Sequence, residues 1–354
     1  MSFLHRLFGR DGEDGARVPA MDGVFKPNTA LDTADRIVPL PGIDDLAVAD
    51  GTLLATAGDA LYRIEAEART VQPVRRFEGA LTMVAAAPGG RIAVGIEGRG
   101  VALGTHDGDW HPLDIPAEDR GAVAAGAFRG ADELVLAIGS TAHPRSEWKR
   151  DLMSRGASGR VLACRLADGR TQVLAAGLGH AHGIAFAGDR IVVAESWRHR
   201  LVALPGGAPV LDDLPAYPAR LAPASDGGFW LALFAPRRQI TEFVLREDDY
   251  RREMMATIPA EAWIGPDFGD GRGLTEPLQS GSVRQMGIMK PWAPSRSYGL
   301  VVRLDRDLLP LATFHSRADG GAHGITAVAE LGGRLFAASR GSGALLALDV
   351  GRPA

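Results

Sequence analysis

The sequence predicts an all-β fold, a six-bladed β-propeller, on the strength of three observations. Short apolar or alternating runs are separated by turns rich in Gly, Asp and Pro along all 354 residues, and 45 of these residues are Gly. A unit of strand, turn and strand recurs six times. Helical periodicity is scarce. Repeats that each form one small sheet are typical of propeller blades, and a propeller of this length is commonly one domain.

Each copy of the repeat begins with an inner strand, passes through a DG- or GG-type turn into a second apolar strand, and adds outer strands. The copies begin at Asp44, Leu81, Ala122, Ala181, Pro218 and His323. The last copy ends after its third strand, ALLALDV. We therefore expect residues 35–42 (DRIVPLPG) to supply the missing outer strand and close the ring, so that no sheet edge stays free. Residues 1–34 are then an N-terminal extension, and residues 35–354 are the propeller.

Two copies are lengthened between their second and third strands. The third copy gains residues 140–158, and the fifth gains residues 236–297, which include a helix-compatible segment, REDDYRREMMATIPAEAWI. Because strands alternate in direction, this turn opens on the same face as the start of every inner strand. We expect both insertions to cover one mouth of the central channel, since long loops on a rigid scaffold usually carry function. The alternatives are decorative surface loops or a contact in a homo-oligomer.

Composition excludes several classes of protein. A net charge of −4 and a pI near 6.2 leave no clustered basic face for nucleic acid. No apolar run approaches the roughly 18 residues that span a bilayer, and MSFLHRLFGRDGEDG lacks the features of a signal peptide. We expect a cytoplasmic protein without a transmembrane segment. Cys164 is the sole cysteine, so no intrachain disulfide forms, and we expect it to be a small buried core residue.

Three segments carry a family resemblance: VAESWRHRLV, LDDLPAYPARL and SDGGFWLAL. They resemble the signature of the strictosidine synthase-like family of six-bladed β-propellers, which is related to gluconolactonase-type and paraoxonase-type lactonases. The resemblance covers most of residues 120–345. It implies the same propeller and an activity on a small organic molecule. The broader relatives hold a calcium ion at the channel with a Glu, two Asn and an Asp, and hard oxygen ligands are what calcium requires.

The residues that the family uses for calcium are mostly replaced in this chain. Asp44 stands where the first acid is expected, and His182 replaces the Asn of the usual PNGLA. The Asn-Asp pair of the third blade reads Ala124-Ala125, and the Asp-Asn of the usual YPDNI reads Ala219-Arg220. At most one hard oxygen ligand of the family's calcium site, Asp44, is retained. We therefore expect no calcium and no other cofactor, with a zinc-type metal at His182 and His323 as the alternative.

The replacements suggest a metal-free polar site at one channel mouth. Arg220 can neutralise Asp44 and hold a substrate carboxylate at two points. His182 and His323 occupy equivalent places in two HGI segments, and histidines near a carboxylate can act as general acid and base. A structural role for these histidines stays open. The predicted catalytic residues are His182, His323 and Asp44. The predicted substrate-binding residues are Arg220, His180, Tyr217, Trp148, Phe234, Met286 and Trp292.

Two functional classes follow from this site, and a third follows from the resemblance alone. The first is an enzyme that hydrolyses a lactone or an ester of small size. The second is a non-catalytic propeller that binds a small molecule or a protein. The third is the amine–aldehyde condensing lyase activity of plant strictosidine synthases, whose acidic residue near the start of the last blade is Thr326 or Ala327 here, with Glu330 several residues later. Fold analogy does not choose among these functions.

Overall fold

The chain forms the six-bladed β-propeller that its repeats predict, with six four-stranded antiparallel sheets in the part of the chain described. The computed structural model describes residues 18–269, 284–285, 288–289 and 295–350, the four at 284–285 and 288–289 by their backbone alone.

Strand β1 (Asp35–Pro39) belongs to the last sheet. Blade one contains β2 (Ile43–Ala49), β3 (Thr52–Ala57), β4 (Ala60–Glu65) and β5 (Thr70–Arg76). Blade two contains β6 (Leu81–Ala86), β7 (Arg91–Ile96), β8 (Gly100–Thr105) and β9 (His111–Leu113).

The remaining blades follow in chain order. Blade three contains β10 (Val123–Arg129), β11 (Glu133–Ile138), β12 (Gly159–Arg165) and β13 (Thr171–Leu178). Blade four contains β14 (Ala181–Ala187), β15 (Arg190–Glu195), β16 (Arg200–Leu204) and β17 (Ala208–Leu211). Blade five contains β18 (Ala216–Pro223), β19 (Phe229–Pro236), β22 (Gly299–Leu304) and β23 (Pro310–Ser316), with the short pair β20 (Arg284–Gln285) and β21 (Ile288–Met289) between β19 and β22. Blade six contains β24 (Ile325–Leu331), β25 (Arg334–Ser339) and β26 (Ala344–Asp349).

The outer strand of blade six comes from the other end of the chain. Strand β1 pairs antiparallel with β26, with Asp35 opposite Ala347 and Pro39 opposite Ala344. The segment expected at 35–42 thus lies on the edge of the last sheet. The part of the N-terminal extension that is described is bound to blade five: the Asn28 side-chain amide donates to the Thr313 carbonyl at 2.8 Å and accepts from the His315 backbone N–H at 2.9 Å.

Hairpin turns within the blades follow from the sequence. Between β2 and β3, Asp50 and Gly51 have φ of +46° and +78°, the left-handed pair that a two-residue turn with the twist of the flanking strands requires. Gly332 and Gly333 form the equivalent turn in blade six, with φ of +62° and +79°. The DG- and GG-type turns of the repeat are confirmed at these places.

A β-bulge begins the inner strand of every blade. A bulge inserts one residue without a partner and re-aims its side chain and carbonyl. The bulged residues are Asp44, Thr82, Ala124, His182 and Thr326 in blades one, two, three, four and six, and Ala219 with Arg220 in blade five. Residues far apart in sequence therefore meet at one end of the channel.

The hydrophobic core is divided into six clusters, one at each interface between neighbouring blades of the described chain. This division arises because alternate residues of a strand point to opposite faces of its sheet, and each face packs on a different neighbour. Cys164 is fully buried between blades two and three, as expected, and burial raises the pKa of its thiol to about 12.

Helices occur mainly in the two insertions. Helix α1 (Trp148–Met153) lies between β11 and β12, and helices α2 (Gln239–Arg246) and α3 (Asp248–Thr257) follow β19. Short 3-10 turns span Gly23–Phe25, Ala117–Asp119, Arg145–Glu147, Ser196–Arg198 and Ala260–Ala262. The Lys149 ammonium pairs with the Asp267 carboxylate at 2.8 Å, so the two insertions contact each other. None of the helices described has the length and apolar character needed to cross a membrane.

Candidate functional site

Arg220 lies at the end of the channel where the bulges meet, and its guanidinium joins blade five to four other blades. Its Nε donates to the Ala124 carbonyl at 3.0 Å. One terminal nitrogen donates to the carbonyls of Asp44 (2.7 Å) and Thr326 (3.3 Å), and the other donates to the Thr82 carbonyl (2.7 Å) and the Asp44 carboxylate (2.9 Å). A guanidinium has five N–H donors, and all five are bonded to protein oxygens. All four carbonyls belong to bulged residues.

The Asp44 carboxylate is the centre of a cluster of charges. It contacts the guanidinium groups of Arg220 at 2.9 Å, Arg145 at 3.1 Å and Arg340 at 2.5 Å. Burial alone would raise the pKa of Asp44, but the three guanidinium groups hold that pKa well below its usual range. Burial alone would lower the pKa of Arg220, yet Asp45 and Asp44 together raise it. Both side chains are therefore charged across the physiological range.

Two further residues of this cluster, Asp45 and Arg145, have shifted pKa values. The Asp45 carboxylate accepts the backbone N–H groups of Leu46 and Val84, each at 2.8 Å, and lies 3.2 Å from Arg220 Nε. Burial raises the pKa of Asp45 to about 6, although Arg220 opposes the shift. Burial lowers the pKa of Arg145 to about 10 against the attraction of Asp44, and Arg145 Nε has no hydrogen-bond partner among the described residues.

His182 is held in one orientation by Ser196. The Ser196 hydroxyl donates to the Pro218 carbonyl, so the His182 Nδ1–H, 3.2 Å away, is assigned as donor to the Ser196 oxygen. This assignment leaves a lone pair on His182 Nε2. That atom is buried and has no hydrogen-bond partner within the described part of the chain. Burial, followed by the positive charges of Arg145 and Arg220, lowers the pKa of His182 well below its usual range, so the imidazole is neutral at pH 7.

His180 adopts an uncommon backbone conformation beside His182. Its φ is +62°, and its ring stacks on Trp197 with centroids 4.4 Å apart. Its Nδ1 lies 3.5 Å from the Asp151 carboxylate, which is an electrostatic contact rather than a hydrogen bond. Asp151 is itself held by the Trp197 indole N–H at 2.7 Å and the Ser140 hydroxyl at 2.8 Å. A left-handed φ costs free energy at a residue other than Gly, and here the packing around the ring maintains it.

Aromatic side chains of the insertions pack over this polar cluster. Trp148 packs against Phe268, Phe234 and Trp197, with ring centroids 5.0, 5.7 and 6.3 Å apart. The Arg340 guanidinium lies 4.4 Å from the Phe268 ring centroid, and its side chain is 35% exposed. Phe268 and Trp148 come from different insertions, and together they cover the end of the channel at which Asp44 lies.

The other end of the channel is an open cavity of about 330 Å³. All six inner strands line it, mainly with small apolar residues. Arg220 and Asp45 form its inner end, and Glu330 lies among its lining residues. Glu330 accepts the Trp230 indole N–H at 2.6 Å, so this carboxylate is already engaged in packing between blades five and six.

The structure places the predicted site residues in several environments. Asp44 and Arg220 are in contact, and His182 lies close enough for the charges of Arg145 and Arg220 to shift its pKa. His323 Nε2 is bonded to the Arg317 carbonyl at 3.1 Å and its Nδ1 to the Ser297 hydroxyl at 2.7 Å.

The residues expected to bind substrate have different surroundings in the structure. The two-point carboxylate clamp at Arg220 does not fit this geometry, because all five of its N–H groups are bonded to protein oxygens. Tyr217 and Phe234 are buried in the cluster between blades five and six. Trp148 is half-buried in the aromatic cover. Met286 and Trp292 lie outside the residues whose side chains are described.

Sequence reasoning missed Arg145, Arg340, Asp45, Ser196 and Phe268. Arg145 and Phe268 lie in insertions, which have no counterpart in the other repeats and therefore no expected position. Asp45 is adjacent to Asp44, and Ser196 lies in VAESWRHRLV, one of the segments that carry the resemblance. The second Asp of IDDLAVADG and the Ser of VAESWR are the signals in the sequence for these two residues.

Comparison with known proteins identifies the fold. A calcium-binding regucalcin from Agrobacterium tumefaciens has a TM-score of 0.57 at 13% identity, over 90% of this chain and 95% of that chain. A gluconolactonase from Xanthomonas campestris has a TM-score of 0.55 at 15% identity, over 89% and 88%. A luciferin-regenerating enzyme has a TM-score of 0.52 at 11% identity, over 89% and 92%. No protein-family model matches the chain, and no curated protein matches it significantly. At these identities the likeness shows a shared propeller fold.

The residues present do not fit the calcium that one of these neighbours is described as binding. The bulge carbonyls converge on the Arg220 guanidinium, whose positive charge would repel a second cation at the same point. Among the described residues, no three His, Cys, Asp or Glu side chains are arranged to hold a metal ion. Zinc does not fit either, because both ring nitrogens of His323 have protein partners and His182 offers only Nε2.

Proposed function

We propose that this chain is a metal-free hydrolase of a small lactone or ester, with His182 as the group that takes and returns the proton. The observation that carries the proposal is the state of the His182 ring. Its Nδ1–H is fixed by Ser196, and its buried Nε2 has no partner among the described residues. A neutral imidazole with a fixed tautomer has a lone pair on its other nitrogen that can accept a proton. The gluconolactonase among the solved neighbours supports the lactone class.

The reaction needs one base and one group that stabilises negative charge. Water attacks the carbonyl carbon while its proton passes to His182 Nε2, and the carbonyl oxygen becomes an oxyanion. The protonated ring then returns the proton to the leaving alkoxide as the carbon–oxygen bond breaks, which gives a carboxylic acid and an alcohol. In a lactone both groups remain on one opened product. Ser196 keeps Nδ1–H in place throughout, because its own proton is bonded to the Pro218 carbonyl.

The charges around Asp44 favour an oxyanion. Three arginines face two carboxylates, Asp44 and Asp45, which leaves an excess of one positive charge. Arg220 has no donor to spare, so Arg145 and Arg340 are the residues assigned to stabilise the oxyanion. Arg145 Nε has no partner in the described chain, and Arg340 is partly exposed. A charge in a water-poor site acts more strongly than the same charge in solvent.

The proposal is tested by turnover of γ- and δ-lactones and of aryl acetates, followed with a pH indicator or by aryl release. His182→Ala is expected to lower kcat/KM of the folded variant about 100-fold or more, within the usual range for a general base. Ser196→Ala is expected to lower it less, because the ring stays in place without a fixed tautomer. His111→Ala, which removes an exposed histidine on β9, is the matched control and should leave turnover unchanged.

Two outcomes would overturn this function. The first is that no substrate of the panel is hydrolysed faster by the wild type than by His182→Ala. The second is that the activity is lost on extensive chelation and restored by added metal, since the proposed step uses none.

A non-catalytic binding propeller is the second candidate, and a specific observation favours it. Arg220, expected to bind substrate, is bonded to protein oxygens through all five guanidinium N–H groups, and His323, expected to be catalytic, is bonded to protein atoms through both ring nitrogens. A site so engaged internally is compatible with binding alone. Thermal shifts by lactones or hydroxy acids without any turnover would favour this candidate over the first.

The condensing activity implied by the strictosidine synthase resemblance has no acid at the required place. Thr326 Oγ donates to the Asp44 carbonyl at 2.6 Å, and Ala327 offers no polar group. Glu330, the next acid along the strand, is bonded to Trp230 near the opposite mouth. We therefore assign the resemblance to the fold and propose no condensation at these positions.

A further inference from the structure

We infer that Arg220 is a built-in cation: its guanidinium fills a cation site made by bulge carbonyls and carboxylates, and a chain that lacks this side chain will bind free guanidinium there. The inference concerns the channel axis and does not depend on the chemistry proposed for His182.

Backbone carbonyls from four blades other than that of Arg220 form most of the site. Four of its oxygens are the carbonyls of bulged residues at the starts of β2, β6, β10 and β24, and each of these strands is paired within its own blade. Removal of Arg220 would therefore leave the four carbonyls facing one small volume. The Asp44 carboxylate at 2.9 Å and the Asp45 carboxylate at 3.2 Å complete the set.

These oxygens need a cation because they are buried. Arg220, Asp44 and Asp45 are each under 5% exposed. Buried carbonyls and carboxylates without partners are costly, typically by about 1–3 kcal/mol per group and more when charged. In the wild type the planar guanidinium donates to all four carbonyls and to the Asp44 carboxylate, and it contacts the Asp45 carboxylate. Arg220→Ala removes those donors and leaves a gap of about the shape of guanidinium.

The remaining charges decide which cation enters. Arg145 and Arg340 stay within 3.1 Å of Asp44, so a divalent ion would meet two positive charges at close range. A monovalent planar ion with six N–H donors meets less repulsion and reproduces the hydrogen-bond directions of the lost side chain. The ligand class assigned is therefore guanidinium or an alkylguanidinium, in preference to calcium.

Chemical rescue tests this inference. The melting temperature of Arg220→Ala is measured in 0–20 mM guanidinium chloride, against NaCl and urea at the same concentrations. We expect the variant to melt several degrees below the wild type and to recover much of that loss saturably, with half-saturation in about the millimolar range, because a ligand that binds only the folded state raises its stability. The wild type should show no rise. Arg129→Ala, which removes an exposed arginine of β10, is the control and should not respond.

Three results would overturn the inference: Arg220→Ala as stable as the wild type, a loss of stability that guanidinium does not reverse, or a larger rescue by calcium. If Arg220→Ala is recovered unfolded, its refolding yield is compared in 20 mM guanidinium chloride and in 20 mM NaCl, and equal yields would count against the site. Arg220→Lys provides a second variant. Its ammonium would occupy the site with three donors, so it should fold and show no guanidinium response.

Discussion

Gly139→Ala tests whether the packing around His180 is as tight as the structure shows. A Cβ at this position would lie 2.5 Å from His180 Cε1 and 2.9 Å from both ring nitrogens, closer than such atoms approach in folded proteins. His180 has little room to move, since its ring is buried between Gly139 and the Trp197 ring at 4.4 Å. Gly139 lies outside the left-handed region, so the effect is steric. Overpacking of this kind typically costs about 1–3 kcal/mol in the free energy of unfolding.

A double-mutant cycle separates this clash from other effects. Urea unfolding is measured for Gly139→Ala, for His180→Ala and for the pair. Because His180→Ala removes the clashing ring, we expect the pair to be about 1–3 kcal/mol more stable than the sum of the single losses implies. Gly321→Ala is the matched control, since a Cβ there meets nothing within 4 Å, and it should change stability by less than about 0.5 kcal/mol. A loss for Gly139→Ala as small as that of Gly321→Ala, or simple additivity in the cycle, would refute the reasoning.

Three further predictions follow from buried polar groups. Burial raises the pKa of Asp45 to about 6 in the folded chain from an ordinary 3.8, so the folded state binds a proton that the unfolded state still lacks as the pH falls through 6. The wild type should therefore gain about 2 kcal/mol in the free energy of unfolding over Asp45→Asn between pH 6 and pH 4. A constant difference across urea titrations in this range would contradict it. Tyr217→Phe should leave the free energy of unfolding in urea unchanged or raise it slightly, because the Tyr217 hydroxyl is buried without a partner among the described residues. A loss above about 1 kcal/mol would show that this hydroxyl makes a stabilising hydrogen bond. Cys164 should react with a disulfide reagent only after unfolding, because it is buried and its pKa is raised to about 12; rapid labelling of the native protein would disprove this.

The blades were predictable from sequence because their signals are local. Alternating apolar residues and DG or GG turns fix each hairpin within about twenty residues, and the short last repeat indicated that an outer strand must come from elsewhere. The ion pairs of Glu195 with Arg198 and Arg200 are likewise local, because all three residues lie in VAESWRHRLV, and Arg200 Nε lies 2.6 Å from the Glu195 carboxylate. Such contacts depend on spacing along one chain segment.

The role of Arg220 was not predictable, for a physical reason. Its partners are mostly backbone carbonyls, which every residue carries, so no residue type marks the four that converge. His323 illustrates a related difficulty. It shares the HGI pattern of His182, but Ser297 and Arg317, from segments before and after the outer strands of blade five, occupy its ring nitrogens. The expected equivalence of the two HGI segments is wrong, because the bulged residue of blade six, which corresponds to His182, is Thr326, three residues after His323.

At the channel, one set of polar groups bonds the blades to one another, and His182 is the group proposed to react. Arg220 and Asp44 are bonded to five of the six blades between them, so changes at these residues should act first on the folded state. His182 has one nitrogen bonded and one without a partner among the described residues, so its replacement removes a single hydrogen bond together with ring contacts to His180 and Phe234. The two proposals consequently fail independently. Guanidinium rescue of Arg220→Ala can succeed in a protein that hydrolyses nothing, and loss of turnover in His182→Ala can occur in a chain whose channel axis is intact.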